Sequence, residues 1–277
     1  MNTPFTVCSL FSGSKGNCIY IRALDTEILI DAGVCAKSIE EALHRIGSDL
    51  SRIDAILITH EHSDHIKGLP VLCKHHKMPI HMTAASASQI PLSDALKDCA
   101  HLHEPHYEAR IGQIHVTAVP APHDSVCCVG FRLECEGHTV AVATDLGRVT
   151  KEIVDVFLGV EGVILESNHD VDLLLQNPHY PPYLKQRILS GQGHLSNDFS
   201  ARFLSYLAKN GTKYAMLAHL SKENNTPELA LSALKEKLTC PLQVAIAKEN
   251  EICYLIPPVK EEKDSLCFTS PSSVSAR

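Results

Sequence analysis

Short apolar runs alternate along this chain with stretches in which apolar residues recur every three or four positions. Ile19–Ile21 and Ile28–Ile30, parted by a polar turn, predict paired strands. Ile53–Ile58 predicts a buried strand and Pro79–Met82 another. His115–Val119, Val126–Glu134 and Thr139–Thr144 predict strands of a second sheet, and Gly162–Leu165, Lys213–Ala218, Val244–Ala247 and Ile252–Leu255 complete the set. Helical signals lie between them. Ser38-Ile39-Glu40-Glu41 is a capping-box pattern, with Gly47 as the stop. Ile66–Lys77 puts Leu69, Leu72 and Cys73 on one face. Val149–Leu158, Asn197–Lys209 and a helix opened by Thr226-Pro227 and reaching Leu238 follow. This alternation predicts one layered α/β domain over residues 1–257. After Pro257 the chain turns to Lys, Glu and Ser, and residues 258–277 read as a disordered tail.

Composition narrows the class. The chain of 277 residues is 44% hydrophobic, enough for an ordinary core, and no uninterrupted apolar run is long enough to span a membrane. The N-terminus lacks the marks of a signal peptide. Eleven cysteines form no CxxC pair, which reads as reduced thiols of a cytoplasmic protein. A net charge of −7 argues against a broadly basic surface, but not against a local basic site or one made positive by metal.

Candidate chemistry gathers at strand ends. The run Thr59-His60-Glu61-His62-Ser63-Asp64-His65 follows the strand Ile53–Ile58 directly. Asp145, Glu166 and His219 each end another apolar run, and His123 follows His115–Val119. Open sheets place sites where loops leave such ends. On a strand His60 and His62 face the same side, and a turn into a helix swings Asp64 and His65 beside them. These four donors are too many for one divalent ion and too few for two. His123, Asp145 and His219 complete two sets, with Asp145 bridging, although His115 is an alternative to His123. Nitrogen and oxygen donors without cysteine suit two ions of Zn²⁺ or Mn²⁺, and Fe²⁺ is also admissible. Burying such a cluster without metal would leave polar atoms unsatisfied.

These residues resemble the HxHxDH signature of the metallo-β-lactamase superfamily, and the chain is most similar to its bacterial YycJ/WalJ (VicX) subgroup. The landmarks are SGSKGN at Ser12–Asn17, LIDAG at Leu29–Gly33, HDS at His123–Ser125 and TDLG at Thr144–Gly147. LESNHD at Leu165–Asp170, GHLSN at Gly193–Asn197 and AHLSKENN at Ala218–Asn225 follow. The resemblance implies a four-layer αββα sandwich with two metals in a cleft between the sheets. It assigns His60, His62 and His123 to one ion, Asp64, His65 and His219 to the other, and Asp145 to both.

GHLSN resembles the histidine motif of superfamily nucleases. The intervals from His123 to Asp145 and from Asp145 to His219 are too short for the tRNA-gripping arm of ribonuclease Z or the β-CASP insertion of ribonuclease J. The subgroup is regarded as a 5′→3′ exonuclease acting on DNA. The implied reaction is attack on phosphorus by a hydroxide bridging the ions, with Asp64 as proton acceptor and His194 at the phosphoryl oxygen or the leaving 3′-oxygen. Glu166 is expected to orient a histidine such as His194.

Ser14, Lys15, Gly16 and Asn17 form a loop suited to a terminal phosphate. Ser196, Asn197, Lys222, Asn224 and Asn225 are further candidates for contacts with the nucleic-acid partner, and Lys67 and Arg148 for steering it. Two other readings remain open: a small-molecule hydrolase (thioesterase or lactonase) on the same centre, and a non-catalytic scaffold.

Overall fold

The computed structural model describes residues 4–91 and 93–258, with a short strand at 272–274. The chain begins with β1 (Phe5–Phe11), β2 (Cys18–Ala23), β3 (Thr26–Ile30), β4 (Ile53–Leu57), β5 (Ile80–Thr83) and β6 (Ala100–His103). It continues through β7 (Tyr107–Ile111), β8 (Ile114–Pro120), β9 (Val129–Cys135), β10 (His138–Ala143), β11 (Gly162–Glu166), β12 (Tyr214–Ala218), β13 (Leu242–Ile246), β14 (Cys253–Ile256) and β15 (Ser272–Val274). One sheet has the order β14-β1-β2-β3-β4-β5-β6, the other β15-β13-β12-β11-β10-β9-β8-β7. Both are mixed: β3 to β6 and β10 to β13 run parallel, and the remaining pairs are antiparallel.

Three apolar cores define four layers. Ile21, Ile28, Leu57, Phe131, Val142 and Ile164 pack between the sheets. Ile39, Leu43 and Leu72 pack helices onto the outer face of the first sheet. Phe157, Leu204, Leu207 and Leu234 do the same on the second. Strands such as β3 and β11 are buried along their whole length, because each is covered on both faces. The result is an αββα sandwich with helices outside.

Topology places the site. The parallel strands β10, β11 and β12 end on one edge. β8 ends there too, because β8 and β10 both flank antiparallel β9. The edge formed by the ends of β3 and β4 meets it. Val129 N–H donates to Thr59 O across the sheets at 3.0 Å, and His219 N–H donates to Ser12 Oγ at 3.0 Å.

Several boundaries differ from the sequence pattern. The helix at 36–45 starts before Ser38: Cys35 is the N-cap residue, and Ser38 sits inside the first turn with its Oγ on Cys35 Sγ. The helix expected over Ile66–Lys77 is two, Ser63–Ile66 and Leu69–His76. The break is at Gly68, whose N–H donates to Ala32 O and where a Cβ would lie 2.6 Å from Val34 O. The strand expected from Val126 starts at Val129, since the Val126 N–H is taken by the Glu61 carboxylate instead of a ladder. β1, β6 and β7 gave no clear sequence signal. β1 is buried on both faces and does not alternate, while β6 and β7 are short and partly exposed. The expected tail lies outside the described residues except for β15, which pairs antiparallel with β13.

Candidate metal centre

The strand before the histidine cluster stops at Leu57, so His60 and His62 stand on the following loop and not side by side on a strand. His62 occupies the N-cap position of the helix Ser63–Ile66, and this turn brings Asp64 and His65 back under His60. Gly33 permits the turn: a Cβ there would fall 1.6 Å from Asp64 O. His123 follows β8, Asp145 follows β10, Glu166 is the last residue of β11, and His219 follows β12. His219 has a φ of 56°, a left-handed conformation uncommon outside glycine.

The rings form a continuous wall. Ring centroids are 4.5 Å apart for His60 and His62, 4.1 Å for His60 and His65, and 5.0 Å for His60 and His123. His194 lies 5.0 Å from His123 and 5.2 Å from His219. Within this wall His60, His62 and His123 offer donor atoms that lie within 4.8 Å of one another, and so do Asp64, His65 and His219. Asp145 sits between: one carboxylate oxygen is 3.7 Å from His123 Nε2 and 3.4 Å from His219 Nδ1, and the other is 3.3 Å from His65 Nε2.

A cation fits this arrangement for a physical reason. Asp145 Oδ2 and His219 Nε2 are buried without a hydrogen-bond partner. His60 Nε2 faces His62 Nδ1 at 3.0 Å, and no more than one proton fits between two such nitrogens. Unsatisfied buried polar atoms are costly, and divalent ions held between these donors would satisfy them. The set, with no thiolate among the converging groups, could hold divalent metal through nitrogen and oxygen donors.

Supporting groups hold the rings. His123 Nδ1–H donates to Gly193 O at 3.0 Å, leaving Nε2 toward Asp145. His65 Nδ1–H donates to Asp31 Oδ2 at 2.7 Å. Glu166 Oε1 lies 2.7 Å from His194 Nδ1 and 2.9 Å from His219 Nδ1, while Oε2 accepts the N–H groups of Leu146 and Leu195. Burial opposes ionisation of Asp145, but His219, His65, His60 and His123 around it outweigh that and hold its carboxyl well below the usual range. Burial pushes the His194 pKa down, and the Glu166 carboxylate more than reverses this, raising it to about 9.

Asp31 was not among the residues singled out from the sequence. The signal was present: Asp31 directly follows the fully buried β3, as His219 directly follows β12, and LIDAG ends in the Gly33 that the turn requires. The proposed phosphate contacts divide. Ser14, Asp64, His194 and Asn224 line a cavity of about 330 Å³ over the centre. Lys15 and Lys222 stand beside it, both paired with Glu249. Asn17, Ser196 and Asn197 are buried and committed elsewhere. Asn17 braces Gly13 and Asp64 O, Ser196 Oγ caps the helix Asn197–Lys209, and Asn197 Oδ1 accepts from Ser167 and Asn225. Asn225 Nδ2 also ties down the carbonyls of Ser167 and Asn168. These four act as scaffold because their polar atoms are spent inside the fold. Lys67 and Arg148 are exposed and do not line the cavity.

Comparison with known proteins agrees with this geometry. The family model of the beta-lactamase superfamily domain matches residues 26–220. The chain belongs to the metallo-β-lactamase superfamily, within its WalJ/YycJ subgroup. The exodeoxyribonuclease WalJ of Streptococcus pneumoniae is 35% identical over 238 residues, 84% of this chain and 88% of that protein. The exodeoxyribonuclease YycJ of Bacillus anthracis is 32% identical over 240 residues, 86% and 90% of the two chains. Among solved structures, the metallo-beta-lactamase fold protein YhfI from Bacillus subtilis shares the fold with a TM-score of 0.70 at 17% identity, covering 91% of this chain and 100% of that one.

Proposed function

We propose that this protein is a 5′→3′ DNA exonuclease working with two divalent ions, Zn²⁺ or Mn²⁺. At the coarser level the chain is a metallo-β-lactamase-fold nuclease, a metal-dependent hydrolase acting on phosphodiesters of nucleic acid. The observation that supports the finer reading is the similarity over most of the chain to proteins named exodeoxyribonucleases, and the Glu166–His194 pair beside Asp145 in the cleft suits phosphodiester hydrolysis.

His60, His62 and His123 would hold one ion, Asp64, His65 and His219 the other, and Asp145 both. Such ions acidify water and draw charge from a phosphoryl oxygen. The protein's own groups supply the rest. Glu166 engages His194 Nδ1, so Nε2 is the ring nitrogen left for substrate, and the carboxylate beside the ring favours its protonated form. His194 therefore hydrogen-bonds a phosphoryl oxygen or donates a proton to the leaving 3′-oxygen. Asp64 is partly exposed to the cavity. Its carboxylate, 3.5 Å from His65 Nε2 on the cavity wall, is placed to accept a proton. In the described residues all cysteines are free, as suits a reducing, cytoplasmic setting, and no helix is long and apolar enough to cross a membrane.

The test is a cleavage assay in Mn²⁺ and in Zn²⁺ with end-labelled duplex DNA, single-stranded DNA and RNA, beside a thioester and a lactone. Stepwise loss of nucleotides from the 5′ end of DNA is expected. Thioester or lactone hydrolysis with every strand left intact would sink the reading.

A further inference from the structure

Next to the metal cleft lies a second cavity of about 270 Å³ that the chemistry above does not use. The two share Ser14, Leu220 and Ser221 as a common wall. Lys222, on the loop after β12, lines it, and Lys15, on the loop after β1, follows the wall residue Ser14. Both ammonium groups converge on the carboxylate of Glu249, which is itself a wall residue: Lys15 Nζ lies 3.7 Å from Oε1, and Lys222 Nζ is paired with Oε2. Glu249 sits in the turn after β13, between Lys248, which pairs with Glu251, and Asn250 at a φ of 58°. The first turn of the helix Pro227–Lys237 borders the same space through Thr226 and Pro227.

We propose that Lys15 and Lys222 form a second phosphate subsite of the nuclease, and that Glu249 holds the place of the phosphate until substrate arrives. One carboxylate between two ammonium groups leaves a net positive charge at the rim. A terminal phosphate carries nearly two negative charges and three acceptor oxygens, so it matches both lysines better than Glu249 does. A diester phosphate has the same chemistry with a single charge. The shared wall places this subsite beside the reacting phosphodiester, where the end of a strand lies when cleavage starts from its 5′ side. The occupant as substrate rests on the nuclease reading; the subsite itself rests on the ion pairs and the cavity.

The experiment measures binding by fluorescence anisotropy to metal-loaded protein, so that it does not depend on turnover. The probes are 3′-labelled oligothymidylates with cleavage-resistant phosphorothioate linkages, carrying a 5′-phosphate or a 5′-hydroxyl. The wild type should prefer the 5′-phosphate. Glu249→Gln should tighten the phosphorylated probe by about threefold, the scale of releasing partly exposed ion pairs. The double variant Lys15→Ala, Lys222→Ala should abolish the preference. Equal tightening of both probes by Glu249→Gln identifies the bound group as an internal phosphate, and the subsite stands. The proposal is overturned if Glu249→Gln changes neither affinity, or if Glu251→Gln, which removes a nearby charge paired with Lys248, tightens binding as much. Absence of cleavage of unmodified DNA, with this binding pattern intact, would remove the nuclease reading and leave the subsite.

Discussion

Asp31 Oδ2 lies 2.7 Å from His65 Nδ1, with both side chains wholly buried. The same carboxylate accepts the backbone N–H of Thr59 at 2.9 Å and the Thr59 hydroxyl. One residue thus fixes the orientation of His65 and the start of the loop that carries His60 and His62. Asp31→Asn suits the left-handed backbone there, at a φ of 63°, and removes the charge and one of the two acceptor oxygens. Metal affinity should fall by about 10- to 100-fold, the usual effect of losing such a partner. Competition with a chelator of known affinity measures this, and an unchanged affinity would refute the role given to Asp31.

His194 touches the cavity and lies outside the two donor sets assigned to the ions, although its donor atom also lies within 4.8 Å of those of Asp145, Glu166 and His219. His194→Ala should lower turnover on DNA by about 10²- to 10⁴-fold, the range for a positioned proton donor. Metal content, measured by atomic emission, should stay at the wild-type value. Loss of metal together with activity would show that His194 is a ligand instead.

At Gly33 any side chain collides with fixed backbone, since a Cβ would fall 1.6 Å from Asp64 O and 2.5 Å from Asn17 N. Gly33→Ala should therefore destabilise the protein by about 3 kcal/mol or more, at the upper end for overpacking because no flexible side chain can yield. Denaturant unfolding of the purified variant tests this. A stability within about 0.5 kcal/mol of wild type, the range of neutral surface changes, would contradict it.

His81, on β5, stacks on His101 and His103 and has its Nδ1 3.0 Å from His103 Nε2. Burial, and then repulsion from those two rings, lower its pKa from 6.5 to about 4. The fold therefore prefers the neutral ring, while the unfolded chain binds a proton from pH 6.5 downward. The stability due to this group is complete above pH 6.5 and is lost as the pH falls toward 4. Allowing for partial exposure, about 2 kcal/mol is at stake. His81→Phe keeps a ring in the stack and removes the titration. The stability gap between variant and wild type should be constant above pH 7 and shift by that amount in favour of the variant near pH 4. A gap independent of pH would show that the stack does not set this behaviour.

Much of this molecule can be read along the chain. Buried strands such as β10 and β11 appear as apolar runs. The helix Pro227–Lys237 is announced by Thr226, whose side chain caps it in the structure, while Ser196, read as a substrate contact, caps Asn197–Lys209. The density of histidine and aspartate in His60–His65 states its own chemistry, because no packing role needs those donors so close together. Tertiary structure alone decided which side chains meet. The pairing of Asp31 with His65, the sharing of Glu166 between His194 and His219, and the meeting of Lys15, Lys222 and Glu249 all join residues far apart in sequence. The same holds for Asn197 and Asn225, which look like substrate contacts in sequence and are spent in a buried network. Periodicity records whether a position is covered along its own element. Which groups then face each other depends on sheet order and register, and those are settled by packing between elements that the local pattern does not encode.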